Sequence, residues 1–185
     1  LDPKRYPPRQ FQSMISNAKN ELMGPNDYVN ATSNQFEEVI ADVYSIYQKR
    51  LQQANAMDFD DLILKTVQVL QQFPEAKARF RSRFRHVLVD EYQDTNHAQY
   101  ILVKELVGNE SEGIPAAELC VVGDADQSIY GFPGATIRNI MQFELDYPNA
   151  TTVLLEQNYR STQNILNAAN AVITQNESRK EKNLW

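Results

Sequence analysis

A chain of 185 residues with 42% hydrophobic and 23% charged side chains has globular composition, with length for one full domain or parts of two and enough apolar mass for a core. Its 24 acidic against 18 basic residues leave a net charge of −6, which argues against indiscriminate electrostatic binding of nucleic acid, so any such site must be local. One cysteine and two histidines exclude a disulfide framework and a Cys/His zinc site, and no apolar run approaches the roughly 18 residues of a membrane span, so a soluble protein of a reducing cytoplasm is expected.

From Arg9 to Leu22, Phe11, Met14, Ile15, Ala18 and Leu22 recur at helical spacing until Gly24-Pro25-Asn26-Asp27 breaks the pattern. A longer helix is expected from about Asn34, with Phe36, Val39, Ile40, Val43, Ile46, Tyr47 and Leu51 on one stripe, Asn34 as cap, and Glu37 and Glu38 in the first turn. Asp58 can cap a third helix carrying Leu62, Ile63, Val67 and Leu70, and Pro74 opens a fourth to Phe84.

The texture changes at His86. Three short apolar runs, Val87-Leu88-Val89, Leu119-Cys120-Val121-Val122 and Val153-Leu154-Leu155, each end in polar residues and predict three buried parallel strands. Helical patterns lie between them, Ala98 to Leu106 and Thr136 to Leu145, and a last one runs from Thr162 to about Gln175; Gly108 to Ala117 reads as a polar loop. The fold class expected is α/β: a partial parallel sheet with helices, preceded by an all-helical subdomain.

In open α/β sheets ligands gather at the carboxyl ends of the strands, so the chemistry is expected at three segments. The first strand delivers the adjacent carboxylates of Asp90 and Glu91, which suit a hydrated Mg²⁺ and the activation of a water; strands also end in acids merely because that edge is solvated. The second leads into Gly123-Asp124-Ala125-Asp126-Gln127-Ser128-Ile129-Tyr130-Gly131-Phe132, where Gln127 offers a donor and an acceptor, and Tyr130 and Phe132 either stack on unpaired bases or pack under the sheet edge. The third, Glu156-Gln157-Asn158-Tyr159-Arg160-Ser161-Thr162, places Arg160 where it can neutralise charge on a transferring phosphoryl group and Tyr159 where it can stack on a nucleobase; a solvated Arg beside a capping Ser or Thr is the plainer alternative.

Taken in order, Asp-Glu-Tyr-Gln-Asp-Thr-Asn, Gly-Asp-Ala-Asp-Gln-Ser-Ile-Tyr-Gly and Gln-Asn-Tyr-Arg-Ser-Thr resemble the Walker B motif and the two motifs after it in superfamily 1 DNA helicases of the PcrA/UvrD/Rep type. Met57-Asp58-Phe59-Asp60-Asp61-Leu62-Ile63 resembles the segment by which that family's inserted helical subdomain returns to its first RecA-like domain. The resemblance implies a helical subdomain over 1–57, the C-terminal part of a first RecA-like domain over 58–160, and the start of a second over 161–185. It further implies ATP and Mg²⁺ as cofactors, with Asp90 holding the metal beside Glu91 and Glu91 as general base. By the same likeness Gln127 senses the γ-phosphate, Tyr159 lies near the adenine, Arg160 acts as an arginine finger, and Tyr130 and Phe132 contact the bases of single-stranded DNA.

The full-length proteins of that family translocate 3′ to 5′ on single-stranded DNA and open duplex junctions in the bacterial cytoplasm, alongside other repair or replication proteins. Two departures stand out: Phe132-Pro133 occupies the place of a usual Trp-Arg, and no glycine in the chain is followed by lysine, so the phosphate-binding loop is absent and the isolated piece is expected to be inactive. Both ends read as boundaries within a longer protein. A non-catalytic DNA- or partner-binding module and a subunit of a helicase-nuclease are the rival readings. Of the remaining residues, Lys4, Arg5, Arg9 and Lys19 are weak candidates for duplex contact, Lys77 to His86 reads as a solvated basic face, and Cys120 as a small core hydrophobe.

Overall fold

Side-chain caps set where the helices start. In the computed structural model, which describes residues 6–109, 115–127, 143–175 and 184–185, Asn34 accepts from the Glu37 amide at 3.0 Å to begin α3 (Gln35–Gln53), as its sequence position predicts. Asp58 does the same for the Asp61 amide at 2.8 Å to begin α4 (Phe59–Gln72). Pro74 opens α5 (Pro74–Arg83), and α1 (Pro8–Asn20) also starts on a proline. Gly24-Pro25-Asn26-Asp27, read as a break, instead starts a further helix, α2 (Pro25–Ala31), because the Asp27 carboxylate turns back to accept from the Gly24 amide at 2.9 Å.

Phe11, Ile15 and Ala18 of α1 meet Ile40 and Tyr44 of α3 in one buried cluster, with Tyr6, Phe36 and Val43 packed against it. Tyr6 stacks on Phe36 with ring centroids 6.0 Å apart, and Phe11 meets both rings edge-on. Helix α1 also packs on α4 and on α6 (His97–Val107), and Lys19 of α1 reaches Asp58 and Asp61 at the start of α4.

Lys19 is 0% exposed; its ammonium lies 2.6 Å from Asp58 and 3.0 Å from the equally buried Asp61, and faces the rings of Tyr44 and Tyr47. Tyr47 donates to Asp58 and the Gln48 amide donates to both oxygens of Asp61. Lys19 is therefore a structural cation, not the weak DNA contact suggested by its charge. Arg81 corrects the reading of the basic run in the same way: it is buried, its Nε donates to the Glu105 carbonyl at 2.8 Å, and Lys77 pairs with the Glu105 carboxylate at 2.8 Å.

The sheet is a parallel pair, β1 (His86–Val89) and β2 (Glu118–Val121), in register from His86 opposite Glu118 to Val89 opposite Val121, with α6 as the crossover. Helices before and around this pair make the molecule α/β with a leading helical part. The third expected strand is not formed. Among the described residues, 153–155 carry no ladder and Leu155 is 76% exposed; the backbone bonds nearest to them join Trp185 to Glu156 and Asn158.

The remaining pair is half-covered: Val87, Val89, Leu119 and Val121 lie on the shielded side, whereas Leu88 (75% exposed) and Cys120 face outward. Cys120 is thus not a core residue here, since among the described residues no layer covers its face of the sheet. Helix α7 (Gln163–Ile173) follows as expected. Of the expected helix from Thr136 to Leu145, only residues 143–146 can be described, and they are helical; Tyr130, Phe132 and Pro133 lie outside the described residues. Among the described residues no helix is long and apolar enough to cross a membrane.

Candidate active site

Beyond Val89 the chain leaves the sheet edge through Asp90 and Glu91, both exposed at the carboxyl end of β1. Glu91 has φ +48° and ψ +43°, a left-handed conformation that is uncommon for a residue with a Cβ. Its amide donates to the Asp90 carboxylate at 2.9 Å, which secures the turn. Immediately after it, Tyr92–Asp94 forms a short 3₁₀ turn whose first amide donates to the Val122 carbonyl at 2.9 Å, while the Val122 amide donates to Val89 at 2.8 Å. These two bonds extend the β1–β2 pairing past the strand ends, so the loop after β2 is held beside the acidic pair.

Tyr92 anchors the turn from below. It is buried, meets Phe143 edge-on with centroids 5.6 Å apart, and its hydroxyl is pushed up to about 12 by burial, with Tyr147 and Asp146 adding to the effect. Asn96 closes the motif by capping α6: its side chain accepts from the Gln99 amide at 2.9 Å, Gln99 returns a bond to the Asn96 amide at 3.0 Å, and Asn96 Nδ2 donates to Asn20 of α1 at 2.9 Å. The end of the acidic motif is thus tied to the first helix.

Between Glu91 and Gln127 runs a line of side chains that the sequence reading passed over. Gln93 is 1% exposed; its Nε2 donates to Glu91 Oε2 at 2.7 Å and its Oε1 accepts from the Asp124 amide at 2.9 Å. Asp124 in turn accepts from Gln127 Nε2 at 2.8 Å and from the Asp126 amide at 3.0 Å. Gly123 makes the approach possible, because a Cβ there would stand 2.9 Å from Gln93 Oε1 and 3.3 Å from the Tyr92 Cβ. The signal available in the sequence was only that Gln93 lies two residues beyond Glu91; its partner Asp124 is 31 residues away.

Tyr159 and Arg160 are not part of this network. Among the described residues no hydrogen bond or ion pair links either to Asp90, Glu91 or Gln127. Asn158 Oδ1 accepts from the Arg160 and Ser161 amides at 2.9 and 2.8 Å, shaping the turn, while Tyr159 is 87% exposed and donates to Gln157. An exposed aromatic that the sequence reading did not single out is Phe59, 89% exposed at the start of α4 on the rim of a groove of about 610 Å³ lined also by Tyr6, Phe11, Tyr47 and Asp58.

Two exposed carboxylates at a sheet edge suit a magnesium ion, which keeps most of its waters and takes one or two carboxylates. They do not suit a dehydrated cage, and no cluster of three or more His, Cys, Asp or Glu able to hold a metal occurs among the described residues.

Comparison with known proteins supports the resemblance seen in the motifs. Residues 1–148 match the UvrD/REP helicase N-terminal domain. The chain belongs to the UvrD/REP helicase family. Across its whole length it is 63% identical to the ATP-dependent DNA helicase UvrD1 of Mycobacterium tuberculosis (strain ATCC 25618 / H37Rv), over 189 residues that make up 24% of that protein. It is likewise 54% identical to the ATP-dependent DNA helicase PcrA of Leuconostoc citreum, and 50% identical to PcrA of Bacillus subtilis (strain 168), each over 185 residues and 24% of the relative. The chain therefore spans about a quarter of the length of the curated relatives it matches. Within this UvrD/REP piece, the acidic pair and Gln127 are joined through Gln93 and Asp124.

Proposed function

We propose that this chain is the part of an ATP-dependent 3′–5′ DNA translocase and helicase that carries its water-activating acid and couples it to the DNA site. The observation that carries the reading is the pair of exposed carboxylates, Asp90 and Glu91, at the end of a parallel strand and hydrogen-bonded through Gln93 and Asp124 to Gln127.

In this reading Asp90 holds the Mg²⁺ of Mg-ATP, with Glu91 beside it, and the ion when bound supplies charge neutralisation on the phosphate oxygens. Glu91 takes a proton from the water that attacks the γ-phosphorus, the bond to the β,γ-bridging oxygen breaks, and ADP leaves with that electron pair. Gln127 senses the γ-phosphate, and Arg160, which has no ion pair among the described residues, is available as a finger on the same charge once the second domain closes. Tyr159 stacks near the adenine. Tyr130 and Phe132, with Phe59 as a further exposed ring, stack on bases of single-stranded DNA, which tolerates any sequence. Pro133 in place of the family's arginine removes a cation and a backbone donor and weakens the grip on DNA.

The domain assignment that goes with this reading is a helical subdomain over 1–57, a first RecA-like domain over 58–160 and the start of a second over 161–185. The 185 residues alone do not turn over ATP, because no Gly-Lys phosphate loop is present to hold the triphosphate. The experiment is strand displacement by the full-length protein on duplexes with a 3′ or a 5′ single-stranded tail, with and without ATP. ATP-dependent opening of the 3′-tailed duplex alone is expected; opening from the 5′ tail, or none from either with ATP hydrolysed, would contradict the assignment.

A further inference from the structure

Among the described residues, Gln93 is the side chain that touches both Glu91 and the loop after β2. Its amide is 1% exposed and both ends are engaged. Chemistry fixes which way round it lies. A backbone N–H can only donate, so the end facing the Asp124 amide must be the oxygen; a carboxylate can only accept, so the end facing Glu91 must be the NH₂. The amide has no second orientation that satisfies both neighbours.

We infer that Gln93 is the positioning residue for Glu91: it clamps the carboxylate in its solvent-facing pose and carries movements of the Asp124–Gln127 loop into that pose. Three features support this. Glu91 Oε2 accepts from Gln93 Nε2 at 2.7 Å, a short bond that fixes where the carboxylate points. The Glu91 backbone is left-handed at φ +48°, a conformation uncommon for a residue with a Cβ, so the side chain leaves the strand end in a specified direction. On the other side, Asp124 bonds Gln127 at 2.8 Å, and Gly123 leaves only enough room for the Gln93 oxygen. A shift of the loop therefore pulls on the amide and re-aims the base. This inference rests on Glu91 being the general base.

The test is single-turnover ATP hydrolysis by the full-length protein, with saturating single-stranded DNA and over a range of ATP concentrations, for Gln93→Ala, Gln93→Glu, Gly123→Ala and Glu91→Gln. Gln93→Glu keeps length and the acceptor for the Asp124 amide but replaces the donor by a second carboxylate; Gly123→Ala leaves Gln93 in place and pushes its oxygen. Displacement of a catalytic group by about 1 Å costs roughly 10²-fold. The expected result is a loss of about 10- to 100-fold in rate for both Gln93 variants, with ATP affinity within about 3-fold of the parent. Gly123→Ala should show the same split, a slower rate at nearly unchanged ATP affinity, in smaller measure. A rate loss matched in every variant by an equal loss of ATP affinity, or by a fall in thermal stability, would make Gln93 merely structural and overturn the inference. So would rates within about 2-fold of the parent in Gln93→Glu and Gly123→Ala while Glu91→Gln is inactive; if Glu91→Gln itself turns over normally, it is the reading of Glu91 as base that has failed.

Discussion

Replacing Lys19 by methionine tests how the helical part is fastened. Methionine keeps most of the length and apolar stem of lysine, so what is removed is the ammonium between Asp58 and Asp61. Asp61 is fully buried, and without Lys19 its carboxylate keeps, among the described residues, only the neutral Gln48 amide as a partner. Breaking a buried ion pair by deleting one partner typically costs about 3–5 kcal/mol, because the other charge stays buried and uncompensated. With a urea slope of about 2 kcal/mol/M, that is a fall of roughly 2 M in the unfolding midpoint of the segment that contains α1 and α4. Burial pushes the Asp58 carboxyl up, but Lys19, the Asp61 amide and the Tyr47 hydroxyl together hold it below the usual carboxylate value. A lowered folded value means stability that is present above the unfolded pKa and is lost as pH falls through the folded one, and Lys19→Met should remove part of that acid-side dependence. The second change Asp61→Asn, added to Lys19→Met, should recover much of the loss. Urea unfolding followed by tyrosine fluorescence reads all of this; a loss under about 1 kcal/mol for Lys19→Met, with no recovery in the double variant, would refute the buried-cation account.

Three further outcomes are expected. Gly108→Ala should destabilise by at least about 2 kcal/mol in the same assay, since Gly108 has φ +74° and ψ −167°, a region nearly reserved for glycine, and a Cβ there would meet the Arg81 guanidinium at 2.5 Å; a change below about 0.5 kcal/mol would show that the α6 end is not built this way. Spectrophotometric titration should show Tyr92 still protonated when ordinary tyrosines have ionised near pH 10, and, because its folded value of about 12 lies above the unfolded one, the stability it contributes is present below pH 10 and lost as pH rises toward 12. Phe59→Ala in the full-length protein should weaken single-stranded DNA binding by roughly 1–3 kcal/mol without altering thermal stability, given that the ring is 89% exposed; unchanged affinity in fluorescence anisotropy would remove Phe59 from the DNA path.

Features governed by neighbours in sequence were legible, and features governed by distant partners were not. Asn34, Asp58 and Pro74 mark helix starts because a cap bonds an amide three residues on or because proline has no amide to lose, and all three stand where the sequence places them. Helix α2 escaped notice because Gly24-Pro25-Asn26-Asp27 reads as a turn until the Asp27 carboxylate is seen returning to Gly24. The buried cations could not be foreseen: Lys19 finds Asp58 39 residues away and Arg81 finds the Glu105 carbonyl 24 away, whereas composition shows only positive charge. Val153-Leu154-Leu155 has the composition of a strand, but a strand exists only with a ladder partner, and the outward faces of Leu88 and Cys120 show the same incompleteness in the β1–β2 pair. At the site, the adjacency of Asp90 and Glu91 was a matter of reading two letters. The Gln93 bridge depends on a loop 31 residues on, and on Gly123 having no side chain.

The most direct test of the central claim is single-turnover ATP hydrolysis by full-length Glu91→Gln on single-stranded DNA, with ATP and DNA binding measured alongside. The account predicts that both ligands are held with affinity close to that of the parent while hydrolysis falls by at least about 10²-fold. Hydrolysis within a few-fold of the parent would mean that the carboxylate at the end of β1 is not the base, and the assignment of this site would have to be abandoned.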